Sequence, residues 1–101
     1  MNKYAMYIRK VLSARDLAEQ LAEECSELAK ASLKMIRAGG MSANVTPTSR
    51  MDAMANFYEE QKDVVSVLWL LTMDERYAYI DDYPKFERWA IRLGYKEGEK
   101  E

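Results

Sequence analysis

"ARDLAEQLAEECSELAKASLKMIRA", residues 14–38, decides the fold. Leu17, Leu21 and Leu28 recur at helical spacing, with Ala18, Cys25, Ala29 and Ile36 filling the same stripe, which predicts one long amphipathic helix. Ser13 stands where an N-cap is needed, and Gly39 and Gly40 stop the pattern. A charge falls inside the apolar arc. At about 100° per residue, Glu24 lies only about 20° from Leu17 and Met35, and Glu27 lies about 60° from it, at the edge of the arc. Glu23, Lys30 and Lys34 fall on the solvated side, where their spacing lets opposite charges offset one another.

Working outward, Lys3 to Leu12 reads as a shorter amphipathic helix with Tyr4, Ile8 and Val11 or Leu12 inward. "GGMSANVTPTSR", residues 39–50, has no period and is rich in turn formers, so it is expected to be a flexible loop. A second long helix is expected from about Asp52 to Met73, with Phe57, Val64, Val67, Leu68 and Leu71 on one stripe. In its last turns, "VVSVLWLLTM" (64–73), Trp69, Leu70 and Met73 cover the other sides too, and a helix apolar all round is normally enclosed. With few helices to enclose it, this segment is expected to meet a second copy in a homodimer or homotetramer.

"ERYAYI" (75–80) fits a short helix or an irregular link. "DDYPKFERWAIRLGY" (81–95) predicts a last helix, capped by Asp81 or Asp82, with Pro84 in its first turn and Gly94 ending it. The charged end from about residue 95 is expected to fray. No segment alternates with a strand period for long, so the expected fold class is all-α: a single four-helix domain over residues 1–101.

Composition narrows the chemistry. Hydrophobic residues make up 49% of the chain, enough for a packed core. Seventeen acidic against fifteen basic residues leave no broad basic field for nucleic acid. There is neither a run of about 18 apolar residues nor a signal-peptide block, so no membrane partner and a cytoplasmic location are expected. Cys25 is the single cysteine, which excludes an intrachain disulfide and suits a reducing compartment; its position within a helical pattern predicts a small core residue. Histidine is absent, which removes the usual zinc sites, Ser-His and Cys-His pairs, and the Glu-x-x-His ligands of di-iron bundles.

On the second long helix, Glu60 falls between Val64 and Val67 in the middle of the stripe, with Asp63 about 60° off and Asn56 beside it. "YEEQKDVVS" (58–66) thus echoes "AEECSELAK" (22–30). Antiparallel packing of the two stripes would bring Glu24, Glu27, Glu60 and Asp63 together. Four carboxylates in a partly desolvated cleft repel unless they bind protons or a cation. Hard oxygen donors without histidine select Mg²⁺, or Mn²⁺, over zinc and copper. The main rival is that Glu24 and Glu60 snorkel to solvent on long stems.

Glu24-x-x-Glu27 followed by Glu60-x-x-Asp63, with the fuller Glu23-Glu24-x-x-Glu27, resembles the MazG-type all-α nucleotide pyrophosphohydrolases. "LAEECSELAKA" (21–31) and "EEQKDVVSVLWLL" (59–71) are similar in tone, and "KFER" (85–88) is similar to the basic motif that follows the acidic pairs in that family. The likeness covers residues 15 to about 92. Two departures stand out: the interval between Glu27 and Glu60 is longer than usual, because of the 39–50 segment, and Trp89 stands where a second consecutive arginine is often seen.

The resemblance implies a MazG-like bundle completed by oligomerisation. It implies Mg²⁺-dependent hydrolysis of a nucleoside triphosphate, in particular a deoxynucleotide, between the α and β phosphates, giving monophosphate and pyrophosphate, a reaction of nucleotide-pool house-cleaning. Glu24, Glu27, Glu60 and Asp63 would hold the metal, with Glu27 or Glu24 as the catalytic base. Lys85 and Arg88 would face the departing pyrophosphate, with Arg15 and Lys30 as further candidates, and Asn56 would bond the sugar or base. Trp69, Trp89, Tyr58, Tyr4 and Tyr7 fit either base stacking or the core. From another class, a non-catalytic helical oligomeric module that binds a protein partner would use the same acidic positions as surface charge.

Overall fold

The computed structural model describes residues 1–40, 43–44 and 47–98 of the chain. Positions 41, 42, 45 and 46 of the loop expected at 39–50, and 99–101 of the tail expected to fray, lie outside the described residues. All regular structure among the described residues is helical: α1 (Lys3–Val11), α2 (Ala14–Ala38), α3 (Arg50–Thr72), a 3₁₀ helix (Glu75–Ile80) and α4 (Tyr83–Arg92). None of these helices is long and apolar enough to cross a membrane.

The helix ends follow from local chemistry. Ser13 and Asp16 form a reciprocal capping box at the start of α2, Ser13 Oγ accepting from Asp16 N at 3.1 Å and Asp16 Oδ2 accepting from Ser13 N at 2.9 Å. Ser49 caps α3 and Asp82 caps α4, each accepting a backbone N–H three residues on. Gly94, at φ 103°, ends α4 in a Schellman motif: its N–H bonds Ile91 O at 3.0 Å, and Tyr95 N–H bonds Ala90 O at 2.9 Å. The segment "ERYAYI" is a short helix rather than an irregular link.

α2 and α3 form a long antiparallel pair, and α2 packs against no other helix. At one end of the pair, the 3₁₀ helix and α1 pack against α3, and α4 packs against α1. The core sits there: Tyr4, Ala5 and Ile8 of α1, Leu17 of α2, Val67, Trp69 and Leu70 of α3, and Phe86, Trp89 and Ala90 of α4. Arg9 donates to the Leu70 carbonyl, satisfying one of the orphaned acceptors at the end of α3. Trp69 Nε1 donates to Asp81 Oδ1 at 3.2 Å, giving a buried indole its partner.

The apolar 64–73 segment is therefore enclosed largely by its own chain. α1, which the sequence places far from it, and the helices that follow α3 cover Val67, Trp69 and Leu70. Thr72 and Met73, at its end, are the exceptions and are exposed.

The other end of the α2/α3 pair stands away from this core. The molecule measures 54 × 23 × 22 Å, with a radius of gyration of 16.0 Å, against about 13 Å for a compact chain of roughly 100 residues. Among the described residues of the outer half, only Ala31 and Ala53 are buried, and their small side chains let the two backbones approach. Leu33, Ile36, Met51, Met54 and Tyr58 are exposed there. Cys25 is also exposed, contrary to the expectation of a core residue. The reason is geometric: a helix with a single partner buries a narrow seam, and Cys25 lies about 100° round from Glu24 on that seam.

Candidate metal centre

Leu17, Glu24 and Ala31 recur every seven residues on α2, and Ala53, Glu60 and Val67 do so on α3. Leu17, Ala31, Ala53 and Val67 are all buried, with at most 3% of their surface exposed. The two glutamates thus occupy the middle of a seam whose other members are sealed, and they are half-buried. Such positions disfavour a bare charge.

Glu24, Glu60 and Asp63 each present a carboxylate oxygen, and the three oxygens lie within 4.8 Å of one another. Gln20, one turn before Glu24, donates Nε2 to Glu24 Oε1 at 2.9 Å and fixes that carboxylate. Lys85 reaches across from α4, its Nζ 2.9 Å from Asp63 Oδ1. Burial, then the negative charges of Asp63, Glu24 and Glu27, push the Glu60 carboxyl above its ordinary value of 4.5, while the Lys85 ammonium pulls it down.

Three hard oxygen donors on two rigid helices, with no nitrogen or sulfur donor among them, fit Mg²⁺ or Mn²⁺. Neither ion needs a complete protein cage, because both keep waters or take phosphate oxygens. Glu27, the fourth carboxylate expected here, is not in this compact set. It is exposed at the rim, 3.6 Å from Lys30 Nζ on its own helix, yet near enough to act on Glu60.

The chain has no significant match among protein-family models, curated proteins or solved structures. What the site can do must be read from its own geometry.

The other residues singled out in the sequence divide. Arg88 is exposed one turn beyond Lys85. Arg15 is exposed and paired with Glu19 at 3.6 Å; nine residues before Glu24, it lies about 13 Å away along the helix axis. Asn56, one turn before Glu60, lines a shallow cavity of about 250 Å³ with Lys34, Thr48, Asp52 and Ala53. Trp69, Trp89 and Tyr4 belong to the core, and Tyr7 is half-buried with its ring edge-on to Tyr95. Tyr58 is exposed about 160° round α3 from Glu60, on the face away from the carboxylates.

Two participants escaped the sequence reading. The i,i+4 spacing of Gln20 and Glu24 was the available signal for the first. Lys34, assigned to the wet face only, had no local signal, because its cavity is completed by Thr48 and by α3 residues at least 14 positions further along the chain.

The Glu60 shift carries a stability consequence. A carboxyl that titrates higher in the folded chain than in the unfolded one stabilises fully when protonated, and that contribution is lost as pH rises past 4.5 and through the raised value. At pH 7 without divalent cations, Glu60→Gln is therefore expected to raise the melting temperature. At pH 4 the gain should shrink. Melting curves in EDTA at both pH values check this, and a lower melting temperature at pH 7 would count against a strained carboxylate.

Proposed function

We propose that the chain is a Mg²⁺-dependent nucleoside triphosphate pyrophosphohydrolase of the MazG type. The observation that carries this reading is the convergence of Glu24, Glu60 and Asp63 oxygens from two facing helices, within 4.8 Å of one another. A bound divalent cation would neutralise the triphosphate and lower the pKa of a water. Glu24, Glu60 and Asp63 would hold it. Glu27, at the rim with only a long contact to Lys30, has lone pairs free to accept a proton from the attacking water. The water oxygen attacks the α-phosphorus, the bond to the bridging oxygen breaks, and pyrophosphate leaves with its charge facing Lys85 and Arg88. Asn56, one turn before Glu60, and the cavity it lines would take the sugar or base. Incubation with each NTP and dNTP plus Mg²⁺, followed by detection of monophosphate and pyrophosphate, tests this; no product from any triphosphate would falsify it.

The same reading includes a second copy of the chain, in a dimer or tetramer that completes the bundle. Met51, Met54, Ala55 and Tyr58 fall at i, i+3, i+4 and i+7 on α3 and are all exposed, so this helix carries a second apolar face besides the one against α2. With Arg50 they line a cavity of about 480 Å³. Two helices alone cannot cover such faces, and a second hairpin would. Met54→Asp, which places a charge there, is expected to shift the protein to monomer at micromolar concentration while leaving helicity unchanged. Equilibrium sedimentation reads the result, and an unchanged mass would reject this interface. The same exposed face is what a non-catalytic interaction module would use, and that alternative predicts no triphosphate hydrolysis and no dependence on Mg²⁺.

A further inference from the structure

Lys85 occupies an unusual place. Its backbone is fixed in the first turn of α4, the N–H capped by Asp82 Oδ1 at 3.3 Å. Its side chain runs back to Asp63 on α3, and the two partners are 19% and 22% exposed, so the pair is mostly out of water. Among the described residues it is the one lysine or arginine within ion-pair distance of Glu24, Glu60 or Asp63. Lys62, on the other side of α3, pairs with Asp82 at 3.1 Å instead. Lys85 thus sits against three converging carboxylates, of which it bonds one.

We propose that Lys85 is the resident counter-ion of the carboxylate set: its ammonium balances the cluster through Asp63, a divalent cation displaces it, and the freed side chain turns to the phosphates. This rests on the metal-site reading above. An ammonium is a monovalent point charge with three donors, whereas a divalent cation takes oxygen from several carboxylates at once at about 2.1 Å. With Lys85 Nζ 2.9 Å from Asp63, ammonium and cation on the same carboxylate would lie within a few ångströms and repel. The flexible four-carbon stem lets the ammonium leave without moving α4. The ion pair would then exchange one role for another: cluster neutraliser in the free protein, anion contact in the loaded one.

The rival is a structural lysine that stays on Asp63 while the cation uses the other carboxylate oxygen. Two measurements on nucleotide-free protein separate them. First, calorimetric titration with Mg²⁺ and Mn²⁺ is expected to show about tenfold tighter binding in Lys85→Met than in the native chain, because a competing positive charge is gone; Lys85→Arg should stay near the native value. Equal or weaker binding in Lys85→Met overturns the proposal and leaves the metal site standing. Binding in neither protein overturns both. Second, on the unaltered chain, brief acetylation read by mass spectrometry should label Lys85 severalfold more with Mg²⁺ than with EDTA, with exposed Lys3 as the internal reference. Labelling of Lys85 that is unchanged or reduced by Mg²⁺ overturns the displacement even if Lys85→Met does not fold.

Discussion

Asp63→Asn is expected to lower the rate of triphosphate hydrolysis by about 10³-fold or more, equivalent to roughly 4 kcal/mol of transition-state stabilisation. The substitution keeps the shape and one oxygen acceptor but removes the charge that a divalent cation requires. It also removes the partner that holds Lys85 in the cation-free protein, so one change takes away a metal ligand and the resting position of an anion contact. Glu60→Gln should be comparably damaging, and the double variant scarcely worse, since groups that act as a unit are not additive. Glu23→Gln is the control: this neighbour of Glu24 is exposed on the wet face and should retain nearly full activity. Initial rates with Mg²⁺ at saturating substrate decide the matter. Equal losses in Asp63→Asn and Glu23→Gln would mean that helical phase does not define the site.

That phase was legible because α2 announces itself. Ser13 and the Gly39-Gly40 pair bracket a single apolar period, and the observed bounds, Ala14–Ala38, match those read from sequence. Glu24 and Glu60 could be recognised as inward because each departs from an otherwise apolar seam. What local pattern could not convey was how many partners each stripe would meet. α2 has apolar residues over a wide arc, yet α3 covers only part of it, which leaves Cys25, Leu33 and Ile36 exposed. The last turns of α3 show the converse. Their all-round apolarity correctly signalled enclosure, but whether it came from a second copy or from α1 and α4 depended on contacts across tens of residues. The Asp63–Lys85 pair was out of reach for the same reason: the two side chains are 22 positions apart, and only the return of α4 across α3 brings them together.

Phe86 tests whether that return is held by packing or by charge. It is the largest fully buried side chain, with 0% exposure, and it follows Lys85 directly. Phe86→Ala is expected to cost about 3–5 kcal/mol through lost burial and an unfilled cavity, a large share of the 5–15 kcal/mol typical of a domain. The melting temperature should fall by at least ~12 °C. On the same helix, Ile91 is 57% exposed, so Ile91→Ala should stay within about 0.5 kcal/mol of the native chain. Denaturant and thermal melts compare the two, and similar losses in both would place α4 outside the core. The two ion pairs from α3 to the start of α4, Lys62 to Asp82 and Lys85 to Asp63, are too few and too partly solvated to replace Phe86. If packing holds α4, conditions mild enough to keep Phe86→Ala folded should still leave Glu24 and Glu60 facing one another on α2 and α3. Cation binding should then survive better than catalysis, because the carboxylates depend on the α2/α3 seam, whereas Lys85 and Arg88 are placed by the buried face of α4.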